Sequence, residues 1–157
     1  MLKYRRANIG DLERYYKWVN DPEVREQSFN SDIISFENHT NWFKSVLEDE
    51  FSWMYIFQNE KAEDVGQVRI QQQDKLNALI GISILPEHRG KGYAAEMLLL
   101  ATNIFIDANE SMVINAYIKE TNLKSKFSFE KSGFKLEGMI NYKEVNSFHY
   151  TKRNEDR

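Results

Sequence analysis

The chain has 157 residues, of which 41% are hydrophobic and 29% charged, values that suit a single globular domain around one hydrophobic core. The formal net charge of −3 disfavours nonspecific binding to nucleic acid, and the absence of cysteine excludes disulfides, thiolate metal ligands and a cysteine nucleophile, so no metal site is predicted. Since no apolar run could span a bilayer and no signal-like N-terminus is present, we expect a cytoplasmic protein that does not bind membranes.

Apolar spacing and turn residues predict strands and helices in alternation along the chain. Leu12, Tyr15 and Val19 follow a helical stripe, whereas Val68 and Ile70 alternate as in a strand. The predicted elements are a strand at 2–6, helices from 11, from 22 and from 35, strands at 51–58, 65–72 and 79–85, a helix from 91 to about 109, a strand at 112–118, a helix ending at 132, and an antiparallel pair at 134–140 and 142–150. We therefore expect one mixed α/β (α+β) domain over residues 1–151 and a loose, charged tail at 152–157.

Residues 78–101 carry the strongest local signal in the chain. A predicted strand ends at a proline, and Gly90 and Gly92 then precede a long apolar helix. The glycines allow backbone N–H groups to converge at the helix N-terminus, where the helix dipole favours an anion. With Arg89 and Lys91 adding positive charge, this stretch is predicted to bind a phosphate group.

Two other phosphate-binding loops fit the same stretch less well. A P-loop needs a Lys followed by Ser or Thr at the end of the turn, and neither follows Lys91. The spacing Gly90-x-Gly92-x-x-Ala95 fits a loose dinucleotide fingerprint, but that fingerprint belongs on the first strand of a βαβ unit. Here the loop lies in the middle of the chain.

The run resembles motif A of the GNAT acyl-CoA N-acyltransferases, in which Arg or Gln is followed after two residues by Gly-x-Gly/Ala. Arg89, Gly92 and Ala94 match that pattern. The resemblance implies a central mixed, mostly antiparallel sheet flanked by helices, with middle strands that splay apart to admit the pantetheine arm of acetyl-CoA. The cofactor-binding residues it implies are Ile82, Ser83 and Ile84 along the pantetheine, and the N–H groups of Arg89, Gly90, Lys91, Gly92, Tyr93 and Ala94 at the pyrophosphate.

A second stretch, ending in the run EKSGF at 130–134, resembles motif B of the same family. Asn122 and Ser125 match the pattern Asn-x-x-Ser/Ala, and the resemblance implies that Asn122 contacts the pantetheine arm. A helix N-cap is the simpler reading of Asn122, and the two roles are compatible. Many family members carry a Tyr as general acid where this chain has Phe129, so Ser128, a nearby Tyr or water would have to protonate the leaving thiolate.

The catalytic base is predicted from the need to deprotonate an amine acceptor. Glu120 lies two residues before Asn122, a position at which amino-sugar acetyltransferases of this superfamily carry a proposed base. An exposed glutamate at a strand end is the alternative reading. His39 is the other candidate, because imidazole titrates near neutral pH.

The N-terminal helices carry a further resemblance, to the nucleotide-sugar N-acetyltransferases of pseudaminic acid and related surface-glycan pathways. The shared features are the run WVNDPEVR at 18–25, the loop SFNS at 28–31, and a histidine followed by Trp-Phe. The resemblance implies that Arg25 holds a diphosphate, for which a planar guanidinium is suited. The other substrate-binding residues implied are Asn20, Ser28, Asn30, Ser31 and His39, of which the last four can bond sugar hydroxyls.

We therefore predict an acetyl-CoA-dependent N-acetyltransferase that transfers directly in a ternary complex, since no cysteine could carry the acetyl group. The preferred acceptor is a small amine, most specifically a nucleotide-linked amino-dideoxy-sugar. The alternatives are an enzyme that acetylates protein N-termini, which needs an open acidic groove, and a non-catalytic acyl-CoA-binding module, which Phe129 favours. The expected partners are acetyl-CoA and the amine acceptor, with a homodimer as a possible assembly.

Overall fold

The computed structural model describes all 157 residues, and the predicted order of strands and helices is confirmed. The strands are β1 (Lys3–Arg6), β2 (Ser52–Gln58), β3 (Asp64–Gln72), β4 (Asn77–Ile84), β5 (Val113–Lys119), β6 (Lys135–Tyr142) and β7 (Val145–Lys152). The helices are α1 (Leu12–Val19), α2 (Pro22–Gln27), α3 (Phe36–Glu48), α4 (Tyr93–Ala108) and α5 (Leu123–Lys131). None of these helices is both long enough and apolar enough to cross a membrane.

Side-chain caps set the start of three helices. Asp21, Ser35 and Asn122 each accept a hydrogen bond from a backbone N–H in the first turn, of α2, α3 and α5 respectively. Such bonds satisfy donors that have no partner within the helix. Gly133, at φ 95°, follows the end of α5 in the left-handed conformation that commonly terminates helices.

The seven strands form one sheet in the order β1-β2-β3-β4-β5-β7-β6. Every neighbouring pair is antiparallel except β4 and β5, which are parallel. The predicted mixed, mostly antiparallel sheet is therefore confirmed.

The parallel pair at the centre of the sheet separates after a short contact. β4 and β5 are paired over only three residue pairs, the last of which joins Leu79 to Asn115. Beyond it, β4 continues to Ile84 with β3 as its only neighbour, and β5 continues to Lys119 with β7 as its only neighbour. The expected splay of the middle strands is thus present, and two strand edges face each other across a gap.

Hydrophobic side chains cover both faces of the sheet, because successive residues of a strand point to opposite faces. On one face, Met97 and Phe105 of α4 belong to the same buried cluster as Val68 of β3. On the other face, Phe43 of α3 packs in a smaller cluster that includes Ile56 of β2. Helices α1 and α3 therefore stand on the face opposite α4, and the gap between β4 and β5 opens between the two layers.

The C-terminal residues pack against the domain, so the prediction of a loose tail at 152–157 is wrong. Lys152 ends β7 with only 1% of its surface exposed, and its Nζ donates to the carbonyl of Ser132 at 2.7 Å and to Thr102 Oγ1 at 2.9 Å. Arg157 forms an ion pair with Asp107 of α4. Charged residues in this segment are therefore buried or ion-paired, and the composition of the segment does not predict these contacts.

Lys152 predicts a specific pH dependence of stability. Burial lowers the pKa of Lys152 from 10.5 to about 8, so the unfolded chain binds more protons than the folded protein between these values, and this lysine adds stability as the pH rises. Relative to Lys152→Met, the wild type should gain about 2 kcal/mol of unfolding free energy between pH 7.5 and 9.5, measured by urea denaturation. A difference between the two proteins that stays constant with pH would contradict this assignment.

Candidate functional site

A cleft of about 750 Å³ opens where β4 and β5 separate. It is lined by both strands, the glycine loop, the start of α5, and the α1–α2 segment with the loop that follows it. The hairpin between β6 and β7 contributes Tyr142 and Lys143 to its rim. The cleft therefore connects the glycine loop with the face of the sheet on which α1 and α3 stand.

The edge of β4 supplies the cleft with main-chain hydrogen-bonding groups. Ile82, Ser83 and Ile84, predicted to bind pantetheine, all line it. Their strand pairs with β3 on one side only, so groups on the other edge have no strand partner. Since main-chain amides withdrawn from water require partners, this edge suits an extended ligand that itself carries amide groups.

The glycine loop forms an open cradle at the N-terminus of α4. Gly90 and Gly92 have φ of 75° and 81°, a conformation that other residues adopt only with strain. No heavy atom lies within 4 Å of the position that a Cβ would occupy at either glycine. Tyr93 and Ala94 also line the cleft, whereas Lys91 is exposed and faces a neighbouring hollow. The loop thus fits a pyrophosphate bound by N–H groups at a helix N-terminus.

Arg89 serves mainly to hold this loop against α2. Its guanidinium lies 2.7 Å from a carboxylate oxygen of Asp21 and 2.7 Å from one of Glu23, and its Nε donates to the carbonyl of Ile84 at 3.1 Å. Burial acts to raise the pKa of Asp21, but hydrogen bonds from Arg89 and from the N–H of Val24 lower it overall. The positive charge that was expected to attract phosphate is therefore matched by two carboxylates. The main-chain N–H of Arg89 donates to the carbonyl of Pro86 at 3.4 Å, so this residue shapes the loop and the N–H groups that follow it are left for a phosphate.

The predicted motif B residues lie opposite the cradle. Asn122 is the N-cap of α5, accepts from the N–H of Ser125 at 3.3 Å, and lines the cleft with it. Phe129 also reaches the lining but is 3% exposed and packs edge-on against Phe134. Ser128 donates its hydroxyl to the carbonyl of Lys124, so that proton is already engaged.

The two predicted catalytic side chains do not reach the cleft. Glu120 is exposed in the turn after β5, and its N–H donates to the carbonyl of Asn146. His39 is 1% exposed, and its Nε2 lies 3.0 Å from the carbonyl of Leu12, within the cluster between α1 and α3. Burial lowers the pKa of His39, which favours the neutral ring. The structure thus gives no support to either residue as the base, nor to His39 as a sugar ligand.

The predicted diphosphate ligand, Arg25, is already occupied by its own segment of chain. Its Nε donates to the carbonyl of Val19 at 2.7 Å, Nη1 to that of Asn30 at 2.8 Å, and Nη2 to the hydroxyl of Ser28 at 3.0 Å. Although all three predicted residues line the cleft, the guanidinium fork is used to shape the loop. The geometry therefore assigns Arg25 a structural role instead of the expected one.

Two other predicted acceptor ligands lie outside the lining. The side-chain amide of Asn20 forms two hydrogen bonds with the backbone of Ile34, at 2.8 and 2.9 Å. Ser31 is exposed to solvent and is not among the residues that line the cleft. Asn20 therefore fixes the approach to α3, and neither side chain is placed to bind a molecule in the cleft.

An aromatic stack closes one end of the cleft. The rings of Tyr117 and Tyr142 are stacked with centroids 4.0 Å apart, and His149 stacks on the other side of Tyr117 at 4.7 Å. Phe29, from the loop after α2, meets Tyr142 edge-on at 4.9 Å. The stack joins the N-terminal segment to the β6–β7 hairpin and gives this end of the cleft flat apolar walls.

Sequence reasoning missed three polar residues that line the cleft: Tyr15, Gln67 and Arg69. The alternation of β3 does carry a signal, because Val68 and Ile70 face the core and so place Gln67 and Arg69 on the opposite face. A polar strand face is usually solvated, however. Only the packing of α1 and α3 over that face makes it part of a cleft.

Comparison with known proteins agrees with this site. The model of the acetyltransferase (GNAT) domain family matches residues 2–135. An N-acetyltransferase 9-like protein of Dictyostelium discoideum is 27% identical, over 92% of this chain and 78% of its own length. The spermidine N(1)-acetyltransferase of Vibrio cholerae is 22% identical, over 88% of this chain and 82% of its own length.

Solved structures show the same fold. A Vibrio cholerae spermidine N-acetyltransferase, in complex with CoA and spermine, superimposes with a TM-score of 0.87 at 20% identity, covering 99% of this chain and 96% of that one. An aminoglycoside acetyltransferase bound to coenzyme A and kanamycin gives 0.85 at 17% identity, with the same two coverages. The chain therefore belongs to the GNAT acetyltransferase family and is an acyl-CoA N-acyltransferase that uses acetyl-CoA as its co-substrate.

Proposed function

We propose that this enzyme acetylates the amine of a small acceptor that also carries negative charge, with a nucleotide-linked amino sugar as the example predicted from the sequence. The charge of the cleft supports the proposal. The cationic residues in its lining are Arg25, Arg69, Arg89, Lys119, Lys124 and Lys143, and the carboxylate is Glu23. Glu23 and Asp21 together neutralise Arg89, so the other five cationic residues carry the positive charge of the lining, and no free carboxylate is offered to an acceptor.

This balance disfavours the acceptors named for the structural relatives. Spermine and kanamycin are polycations, and a site selective for them would place carboxylates around the bound amines. The same charge balance disfavours peptide N-termini as acceptors, because an enzyme that acetylates them needs an acidic groove. A basic cleft with aromatic walls suits a molecule that combines an anionic group with a flat or apolar ring.

The transfer itself requires little from side chains. Acetyl-CoA supplies an activated thioester, and main-chain N–H groups along the free edge of β4 can stabilise the charge that develops on its carbonyl oxygen. The amine forms the new C–N bond, the C–S bond breaks, and the amine proton must leave. Since Glu23 is paired and His88 packs beside the cradle against Tyr93, we propose that water takes this proton.

An acceptor panel tests the proposed substrate class. With acetyl-CoA and detection of free thiol, we expect kcat/KM for UDP-linked amino sugars to exceed that for spermine, kanamycin or an N-terminal peptide by about tenfold or more. Raising the salt concentration should weaken turnover of the anionic acceptor, because screening reduces its attraction to the cleft. Preference for a polycation or a peptide would refute the proposal.

The position of Glu120 predicts that it is dispensable. Glu120→Gln should leave kcat within about twofold of wild type, and kcat/KM should rise with pH according to the pKa of the acceptor amine. Two acceptors whose amines differ in pKa provide the control, because their profiles should shift relative to each other. A tenfold loss in the variant would restore Glu120 as the base.

A further inference from the structure

The cleft face of β3 presents a guanidinium without a counterion. Arg69 is partly buried, its guanidinium carbon lies 5.1 Å from the ring centre of Trp42, and its Nε donates to Gln71 Oε1 at 3.0 Å. It faces Gly81 of β4, where a Cβ would come within 3.3 Å of its Nη2. The terminal nitrogens of Arg69 have no hydrogen-bond acceptor in the protein. Both terminal nitrogens of the guanidinium therefore keep free N–H donors inside the cleft.

Nearby carboxylates are committed to other arginines. Asp11 is ion-paired with Arg5 at 2.8 Å and with Arg14 at 3.1 Å. Asp64 lies 3.4 Å from the same Arg14. The protein thus supplies acidic partners to the arginines around Arg69 but not to Arg69 itself.

Four residues of the same cleft lining carry a buried polar atom without a hydrogen-bond partner: Tyr15, Gln27, Gln67 and His88. Tyr15 and Gln67 concern the face of the sheet on which Arg69 lies. The hydroxyl of Tyr15, a residue only 4% exposed, makes no hydrogen bond, and neither does Oε1 of Gln67. Tyr15 and Trp42 pack in the same cluster, and Tyr15 and Arg69 each influence the other's pKa. Buried polar atoms are usually paired, so the Tyr15 hydroxyl and Gln67 Oε1, which lie in the same cleft as the free guanidinium nitrogens of Arg69, indicate a missing ligand.

We propose that Arg69 and Tyr15 form an anion-binding subsite that holds the carboxylate or phosphate of the acceptor. A guanidinium fork binds both groups through paired N–H donors, and the tyrosine hydroxyl adds a third donor. Gln67 Oε1 can accept from a hydroxyl or N–H of the same molecule. This inference rests on the proposed function and adds the residues that recognise the acidic group.

The subsite lies beside the strand edge at which transfer occurs. Arg69 is directly opposite Gly81, the residue before Ile82, whose backbone lines the cleft. Arg69 and Trp42 stand on the same face of the sheet as α1 and α3, away from α4 and its cradle. An anion at Arg69 therefore does not compete with the phosphates of CoA and instead fixes the acceptor on the opposite side of β4.

The test compares matched acceptors with and without an acidic group. The phosphate arm compares UDP-glucosamine and glucosamine 1-phosphate with glucosamine. The carboxylate arm compares glycine with glycinamide. We expect wild type to prefer the acidic member in one arm, and Arg69→Gln to reduce that preference by about 10- to 100-fold through KM. The KM for acetyl-CoA should not change. Arg6→Gln, which removes an exposed charge remote from the cleft, is the matched control and should retain the preference.

Tyr15→Phe separates a ligand-binding role from a structural one. Because the hydroxyl has no partner in the free protein, its removal should leave Tm unchanged or raise it, while kcat/KM for the acidic acceptor falls by about three- to tenfold. If Arg69→Gln fails to fold, Tyr15→Phe still tests the anion-binding subsite. Undiminished preference for the acidic acceptor in Arg69→Gln, or in Tyr15→Phe, would overturn the subsite while leaving the proposed function intact.

If wild type shows no preference for acidic acceptors, the proposed function fails, and calorimetry with inorganic pyrophosphate in the presence of CoA tests the subsite by itself. Binding to wild type that is lost in Arg69→Gln supports the subsite. Equal binding to both proteins, or no binding to wild type, overturns it.

Discussion

The site depends on where the hydrogen-bonding ladder between β4 and β5 stops. Three residue pairs hold the parallel strands together, and past Leu79 each strand keeps only its outer neighbour. At the last pair, the side-chain amide of Asn115 bonds to the carbonyl of Ala78 and to His149. Main-chain groups on the two inner edges are left to bind a ligand, and the glycine cradle lies directly beyond the end of β4. The proposed sites for the cofactor, the acceptor and the transfer thus meet at one interruption in an otherwise continuous sheet.

Arginines in the cleft differ by their partners and not by their charge. Arg89 is neutralised by Asp21 and Glu23 and ties the cradle to α2. Arg25 donates hydrogen bonds to backbone carbonyls of its own segment, those of Val19 and Asn30. Arg69 alone among the three keeps its terminal donors free, although it is partly enclosed beneath Trp42. Since an enclosed cation without a partner is costly, this residue has most to gain from a bound anion.

Local signals in the sequence were sufficient for the elements and for the conformation of the glycine loop. Capping residues such as Ser35 and Asn122 mark helix starts, because the donors that they satisfy belong to the same turn. Gly90 and Gly92 mark the cradle for a similar reason, since their positive φ is a property of a few adjacent residues. The charged tail was misjudged because the partners of Lys152 lie 50 and 20 residues away along the chain.

The sequence by itself determined the family, the order of elements, and the glycine loop before α4, because these depend on neighbours along the chain. The tertiary structure alone determined which of the predicted acceptor-side residues reach the cleft with free polar groups. It placed Glu120 in an exposed turn, buried His39 between two helices, and occupied Arg25 with backbone carbonyls. It also enclosed Arg69, which the sequence presents as one polar residue on an alternating strand. Whether a charged side chain is paired or free depends on groups brought close by folding, and that proximity is not encoded in local spacing.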